Sequence, residues 1–244
     1  MGISKVDERA RAWAVHALTL SGFAFAMLAT LALIDGAIAW MWLWLGVAML
    51  IDGVDGSLAR RARVREILPW FDGGIVDIVV DYLTWTFIPA VFMALHLPLG
   101  PAPVPALLAI VVLTSSMFCY ANAHWKSTDH YFVGFPAAWN VAAVAMYVLG
   151  LPAWANIAVT LTLVVLTLVP THYTHPFRVQ RFRALNIAAI LLWVLATGAL
   201  VALAPLRPWW LLALFWLGGG WFLVSGVLRD LTGAAKAPHH EAIA

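Results

Sequence analysis

Residues 52–81 read Asp52-Gly53-Val54-Asp55-Gly56-Ser57-Leu58-Ala59-Arg60, then twelve residues, then Gly73-Gly74-Ile75-Val76-Asp77-Ile78-Val79-Val80-Asp81. Four carboxylates stand here in a chain that is otherwise almost wholly apolar. Asp52 and Asp55 are three apart and Asp77 and Asp81 four apart, so on helices each pair shares a face. Two such helices turned face to face make a carboxylate box. Acids inside a bilayer are costly and mark functional sites, and cations filling the box offset the cost.

The rest of the chain supplies the bilayer setting. Of its 244 residues, 64% are hydrophobic and 11% charged, outside the soluble globular range. Residues 1–16 place Ile3, Val6, Ala10 and Trp13 against Lys5, Asp7, Glu8, Arg9 and Arg11, the pattern of an amphipathic helix lying in the interface. Acids ahead of the first apolar run speak against a cleaved signal peptide. Eight apolar runs follow, near 17–34, 37–59, 74–97, 104–123, 134–150, 153–170, 185–204 and 208–227. Each is close to the roughly 20 residues that cross a bilayer. The expected fold is an all-α polytopic membrane protein: an interfacial helix 1–16, one membrane domain of about eight transmembrane helices over 17–228, and a polar tail 229–244. The lone Cys119 excludes an intrachain disulfide, and no soluble basic face is present for nucleic acid.

With eight spans, Arg207 alone of the 14 Lys and Arg residues falls on one side. The positive-inside rule makes the opposite face cytoplasmic and places both termini there. Arg60 ends the second span at that face, so Asp52 lies about 12 Å deeper. Asp77 and Asp81 enter from the same side. Gly56 and Ala59 share the face of Asp52 and Asp55 and leave room for a bulky ligand, and Arg60 is placed to meet a phosphate. Oxygen-only ligands suit magnesium or manganese. Two such ions neutralise four carboxylates and bind a pyrophosphate, the setting of metal-assisted phosphoryl transfer. A structural cation site, or a proton path in a transporter, also accounts for the acids.

The full pattern, D-x-x-D-G-x-x-A-R followed by G-x-x-x-D-x-x-x-D, resembles the signature of the CDP-alcohol phosphotransferase family. The resemblance implies transfer of a phosphatidyl or phospho-alcohol group from a CDP-linked donor to a hydroxyl, with release of CMP. By position it makes Asp52, Asp55, Asp77 and Asp81 metal ligands. It gives the CDP moiety to Gly56, Ala59, Arg60 and Gly73, and makes Asp81 the general base. The connection 61–72 is longer than most of the family has. That length, the eight spans, the segment from Asp129 through Tyr131, Gly134, Phe135 and Pro136 to Trp139 and Asn140, and the stretch His175-Pro176-Phe177-Arg178 are similar to the bacterial phosphatidylcholine synthase branch.

That branch joins choline to CDP-diacylglycerol and releases phosphatidylcholine and CMP. The resemblance further implies two Mn or Mg ions per site, an inner-membrane location with the active site facing the cytoplasm, and a homodimer, for which Gly218-Gly219-Gly220 permits close helix contact. A quaternary ammonium is held best by aromatic faces. Tyr82 and Trp85 follow Asp81, Tyr120 ends the fourth span, and Phe135, Trp139 and Asn140 open the fifth. Each aromatic taken singly also reads as a belt or packing residue. Lys126 and Asp129 pair with one another or meet a phosphate. Arg178, Arg181 and Arg183 fit topology or anionic lipid. His172 and His175 read as interfacial, Asp35-Gly36 as a turn and Asp72 as a helix cap. The insert 61–72, basic then apolar, lies along the interface or anchors the positive side. Serine, inositol, glycerol phosphate or ethanolamine as acceptor stays within the family. A cation-coupled transporter predicts internal repeats and acids spread across the bilayer, and the chain has neither.

Overall fold

The computed structural model describes residues 5–122 and 127–233; Ile3, Lys126 and the tail from residue 234, Lys236 included, lie outside the described residues. The chain is an all-α polytopic membrane protein. Six helices are long and apolar enough to cross a bilayer: Val6–Ile34, Ile38–Arg61, Gly73–His96, Val104–Ala121, Arg183–Ala202 and Trp209–Thr232. Trp139–Leu149 and Ala153–Thr167 are apolar but shorter. At about 1.5 Å per residue these two reach only ~16 and ~22 Å, against a hydrocarbon core of ~30 Å. Every expected run therefore has its helix, but length alone supports six crossings rather than eight.

The described chain forms two compact units. One comprises the chain up to Leu97 with Ala138–Val144, and the other comprises Pro98–Ala137 with the chain from Ala145 onward. In the first, α1 (Lys5–Ile34) lies along α2 (Ile38–Arg61), and the turn Asp35-Gly36 joins them. Gly36 takes φ +69°, which costs glycine nothing, and the amides of Gly36 and Ala37 cap the carbonyls of Leu33 and Ala32 at 3.1 and 2.8 Å.

No break separates residues 5–16 from the first span, so the expected separate interfacial helix is instead the opening of α1. The reason is a stripe of small residues, with His16 among them, that recurs every three or four positions and crosses residue 17 unbroken. Ala12, His16, Thr19, Gly22, Ala26 and Ala29 are all buried. The connection 61–72 contains α3 (Val64–Ile67), whose Val64 packs with Leu68 and Ala12 of α1. Asp72 then caps α4 (Gly73–Asp81), accepting from the Gly74 amide at 2.9 Å, as its sequence position predicts.

The same helical run continues through a π-helical segment, Tyr82–Phe87, into α5 (Ile88–His96). Pro89 has no N–H for the Trp85 carbonyl, and the helix widens so that the Ile88 amide reaches Leu83.

In the second unit, α6 (Val104–Ala121) packs on α8 (Ala153–Thr167), where the Asn156 amide donates to the Pro98 and Leu151 carbonyls at 3.1 Å each. The run expected to start at 134 becomes helical only at Trp139, the start of α7 (Trp139–Leu149), whose residues through Val144 are counted with the first unit. Gly134 and Ala137 have positive φ, and the amides of Gly134 and Phe135 turn to Thr171 and Leu166. Two-residue strands β1 (Phe132–Val133) and β2 (His172–Tyr173) pair antiparallel there. Finally, α9 (Arg183–Ala202) packs on α10 (Trp209–Thr232). A side chain at Gly218 would meet the Ala189 carbonyl at 2.7 Å, and one at Gly219 would meet the Trp193 ring at 2.7 Å. Two of the three glycines expected to serve a dimer are thus used in contact with the chain's own α9.

Candidate metal centre

The first unit gathers the acids. Helix α2 runs unbroken through Asp52 and Asp55 to Arg61, and the Asp72 cap sets the start of α4, which carries Asp77 and Asp81. One oxygen each from Asp52, Asp55 and Asp77 lies within 4.8 Å of the others. Asp81 stands beside Asp52 and lies within the fields of Asp77 and Asp55. Its Oδ1 is buried without a hydrogen-bond partner among the described residues.

Asp55 is 5% exposed. Thr19 of α1 donates to its Oδ2 at 2.8 Å. Anionic oxygens crowded in a low-dielectric span repel one another strongly, and a hard cation converts that repulsion into coordination. The donor set is all oxygen, and Asp81 presents an orphaned oxygen. Both fit a divalent cation, and the cluster Asp52, Asp55 and Asp77 can hold one.

The other expected residues fall as follows. Gly56 is half-buried on α2. Ala59 packs against the cluster of Ala12, Val64 and Leu68, which ties the motif's alanine to α1 and α3. Arg60 is exposed and donates to Ser57 Oγ at 3.0 Å. Gly73 faces His16: a Cβ there would come within 2.6 Å of the imidazole, so the motif's second glycine is needed where α1 crosses α4. His16 itself is buried, its Nε2 without a hydrogen-bond partner among the described residues, edge-on to Phe71 at 4.4 Å, in a cluster with Trp13 and Trp70.

Tyr82 and Trp85 lie half-buried in the π-helical segment, while Trp139 is fully buried and Asn140 turns its Oδ1 back to the Val141 amide at 2.7 Å. Tyr120 and Phe135 belong to the second unit, Phe135 edge-on to Tyr173 at 6.0 Å.

The sequence reading passed over His16 and Thr19. The missed signal was the spacing of buried small and polar positions along α1, which only becomes a pattern once residues 5–34 are one helix.

The second unit has its own polar cluster. Asp129 pairs with Arg229 of α10 at 3.2 Å. The guanidinium also lies 5.9 Å over the Tyr131 ring. Burial pushes the Asp129 carboxyl up, but the hydrogen bonds from Ser127 and Arg229 and the arginine's charge leave it below its ordinary value. His172 bonds Asp230, Thr174 bonds Ser225 at 2.7 Å, and Arg181 donates to Thr232 at 2.7 Å. Asp129, Arg181 and His172 thus join loops to the end of α10.

No family model matches the chain. Among curated proteins, it is 49% identical over 216 residues to the phosphatidylcholine synthase of Pseudomonas aeruginosa, covering 88% of this chain and 90% of that one. The phosphatidylcholine synthase of Rhizobium johnstonii is 36% identical over 219 residues, covering 89% and 90%. That of Agrobacterium fabrum is 33% identical over 220 residues, covering 90% and 91%. Likeness of this degree along nearly the whole of both chains, with the four acids in place on α2 and α4, makes the chain a member of the phosphatidylcholine synthase family.

Proposed function

We propose that this protein transfers the phosphatidyl group of CDP-diacylglycerol to choline, releasing CMP and phosphatidylcholine. The supporting observation is the convergence of Asp52, Asp55, Asp77 and Asp81 in one cluster, on a chain so close to named phosphatidylcholine synthases. Asp52, Asp55 and Asp77, with Asp81, hold two divalent cations, manganese or magnesium. When bound, these supply positive charge against the pyrophosphate and the departing CMP.

The chain's own residues do the rest. Gly56 and Arg60 receive the CDP moiety, with Arg60 toward phosphate, while Ala59 and Gly73 shape the site by keeping α3 and α1 packed closely behind it. Choline's hydroxyl oxygen attacks the phosphorus esterified to diacylglycerol, and its proton passes to the Asp81 carboxylate as the new P–O bond forms. The bond from that phosphorus to the bridging oxygen breaks, and CMP leaves with the electron pair. Tyr82 and Trp85, at the foot of the π-helical segment beside Asp81, offer aromatic faces to the quaternary ammonium, with Tyr120, Phe135, Trp139 and Asn140 as the remaining candidates. The site faces the cytoplasm of a bacterial inner membrane, where the basic loops and both termini lie. Acyl chains of the donor stay in the lipid.

The test is CMP release by the purified protein with CDP-diacylglycerol, manganese and one alcohol at a time. Choline alone supports turnover, and Asp81→Asn lowers kcat by at least ~100-fold. Turnover with serine, inositol or glycerol phosphate instead would replace the acceptor. CMP release by no alcohol, with Mn2+ still bound, would remove the catalytic reading and favour cation transport.

A further inference from the structure

Three threonines buried in helices of this protein bond to their own backbone. Thr84, Thr160 and Thr167 each donate to the carbonyl four residues back, at 2.9, 2.7 and 2.9 Å. Thr19 departs from this habit. Its Oγ1 is 3.4 Å from the Val15 carbonyl but 2.8 Å from Asp55 Oδ2, across 36 residues of sequence. A hydroxyl has one proton, and an ionised carboxylate only accepts, so the proton belongs to the shorter, charge-assisted bond. Both partners are sealed from solvent, Thr19 8% and Asp55 5% exposed.

Thr19 is held in place by packing on either side of it along α1. Ala12 lies against Val64 and Leu68, His16 against Gly73, and Gly22 against Val80. The donor therefore stands on a rigid element, outside the motif that carries the acids.

We propose that Thr19 is a positioning residue for the metal centre: its hydroxyl fixes one oxygen of Asp55 and so sets the rotation of that carboxylate toward Asp52 and Asp77. The inference rests on Asp55 being a metal ligand, as given under Proposed function. A carboxylate held by an outer hydrogen bond is already oriented before a cation arrives, and loss of such partners weakens metal binding by roughly 10–100-fold. Thr19→Ser keeps the hydroxyl, and Thr19→Ala differs from that serine only by its absence.

The experiment is a Mn2+ titration of the full-length purified protein, followed by the electron paramagnetic resonance signal of free Mn2+, for the wild type and both variants. Thr19→Ser binds Mn2+ like the wild type, and Thr19→Ala binds it roughly 10–100-fold more weakly. Equal affinity of the serine and alanine variants, with the wild type binding well, overturns the role of Thr19 and leaves the metal site standing. Absence of Mn2+ binding by the wild type overturns the metal reading itself, and the role of Thr19 with it.

Discussion

His175 shows how far a single side chain's setting departs from its position in the sequence. It stacks on Phe132 at 5.1 Å, and its Nδ1 accepts from the Phe177 amide at 3.3 Å. Burial, and then the charge of Arg178, lower its pKa from the ordinary 6.5 to about 4. A histidine held neutral in the fold but free to charge when unfolded contributes stability in full above about pH 6.5. That contribution is lost as pH falls toward the folded value. Thermal unfolding followed from pH 7.5 down to pH 4.5 (about the window of the shift) thus shows a falling Tm for the wild type and a shallower fall for His175→Asn, which cannot charge. Asp129, lowered as well, acts in the same sense only at more acidic pH. The sequence showed His175 as an interfacial residue. It could not show that burial and Arg178 oppose its protonation, because both depend on a loop whose course no periodicity encodes.

The elements that matter most for the site are α1, α2 and α4, and their contacts turn on glycine. A side chain added at Gly22 would run into Val80, one residue before Asp81. Gly46, on α2, has open space around it. Gly22→Leu overpacks the crossing of α1 and α4 by roughly 1–3 kcal/mol, lowers Tm and weakens Mn2+ binding, whereas Gly46→Leu changes neither. Melting curves and the same Mn2+ titration check both. The acids were legible in the sequence because three- and four-residue spacings declare a helical face by themselves. Asp72 as a cap and Asp35-Gly36 as a turn were legible for the same local reason. The role of α1 was not: a stripe of Ala, Gly, Thr and His carries little hydrophobic contrast inside an apolar span, so the charged side of residues 5–11 dominated its reading. The π-helical segment also escaped notice, although Pro89 was the cue.

Across the whole molecule, large apolar side chains are exposed, Trp154 at 74%, Trp209 at 80% and Leu195 at 72% among them, as a lipid-facing surface requires. The charge asymmetry that pointed to eight crossings meets two helices of 11 and 15 residues. A single-cysteine series in a Cys119→Ala background decides between eight crossings and six. Leu206→Cys reports the side of the Arg207 loop and Arg65→Cys the opposite side. With eight crossings, a membrane-impermeant maleimide reaches Trp154→Cys from the same side as Leu206→Cys, and this is the expected result. With six crossings, residue 154 is not reached from that side. Order of synthesis adds a meaning to the contact between α1 and α2. The ribosome delivers α1 first, so Thr19 is in place when Asp55 emerges 36 residues later. A nascent chain ending at α3 already contains both members of that pair, while Asp77 and Asp81 have yet to be translated. A hydroxyl partner for Asp55 is thus present in the chain before Asp77 and Asp81, and so before the full set of acids, has been made.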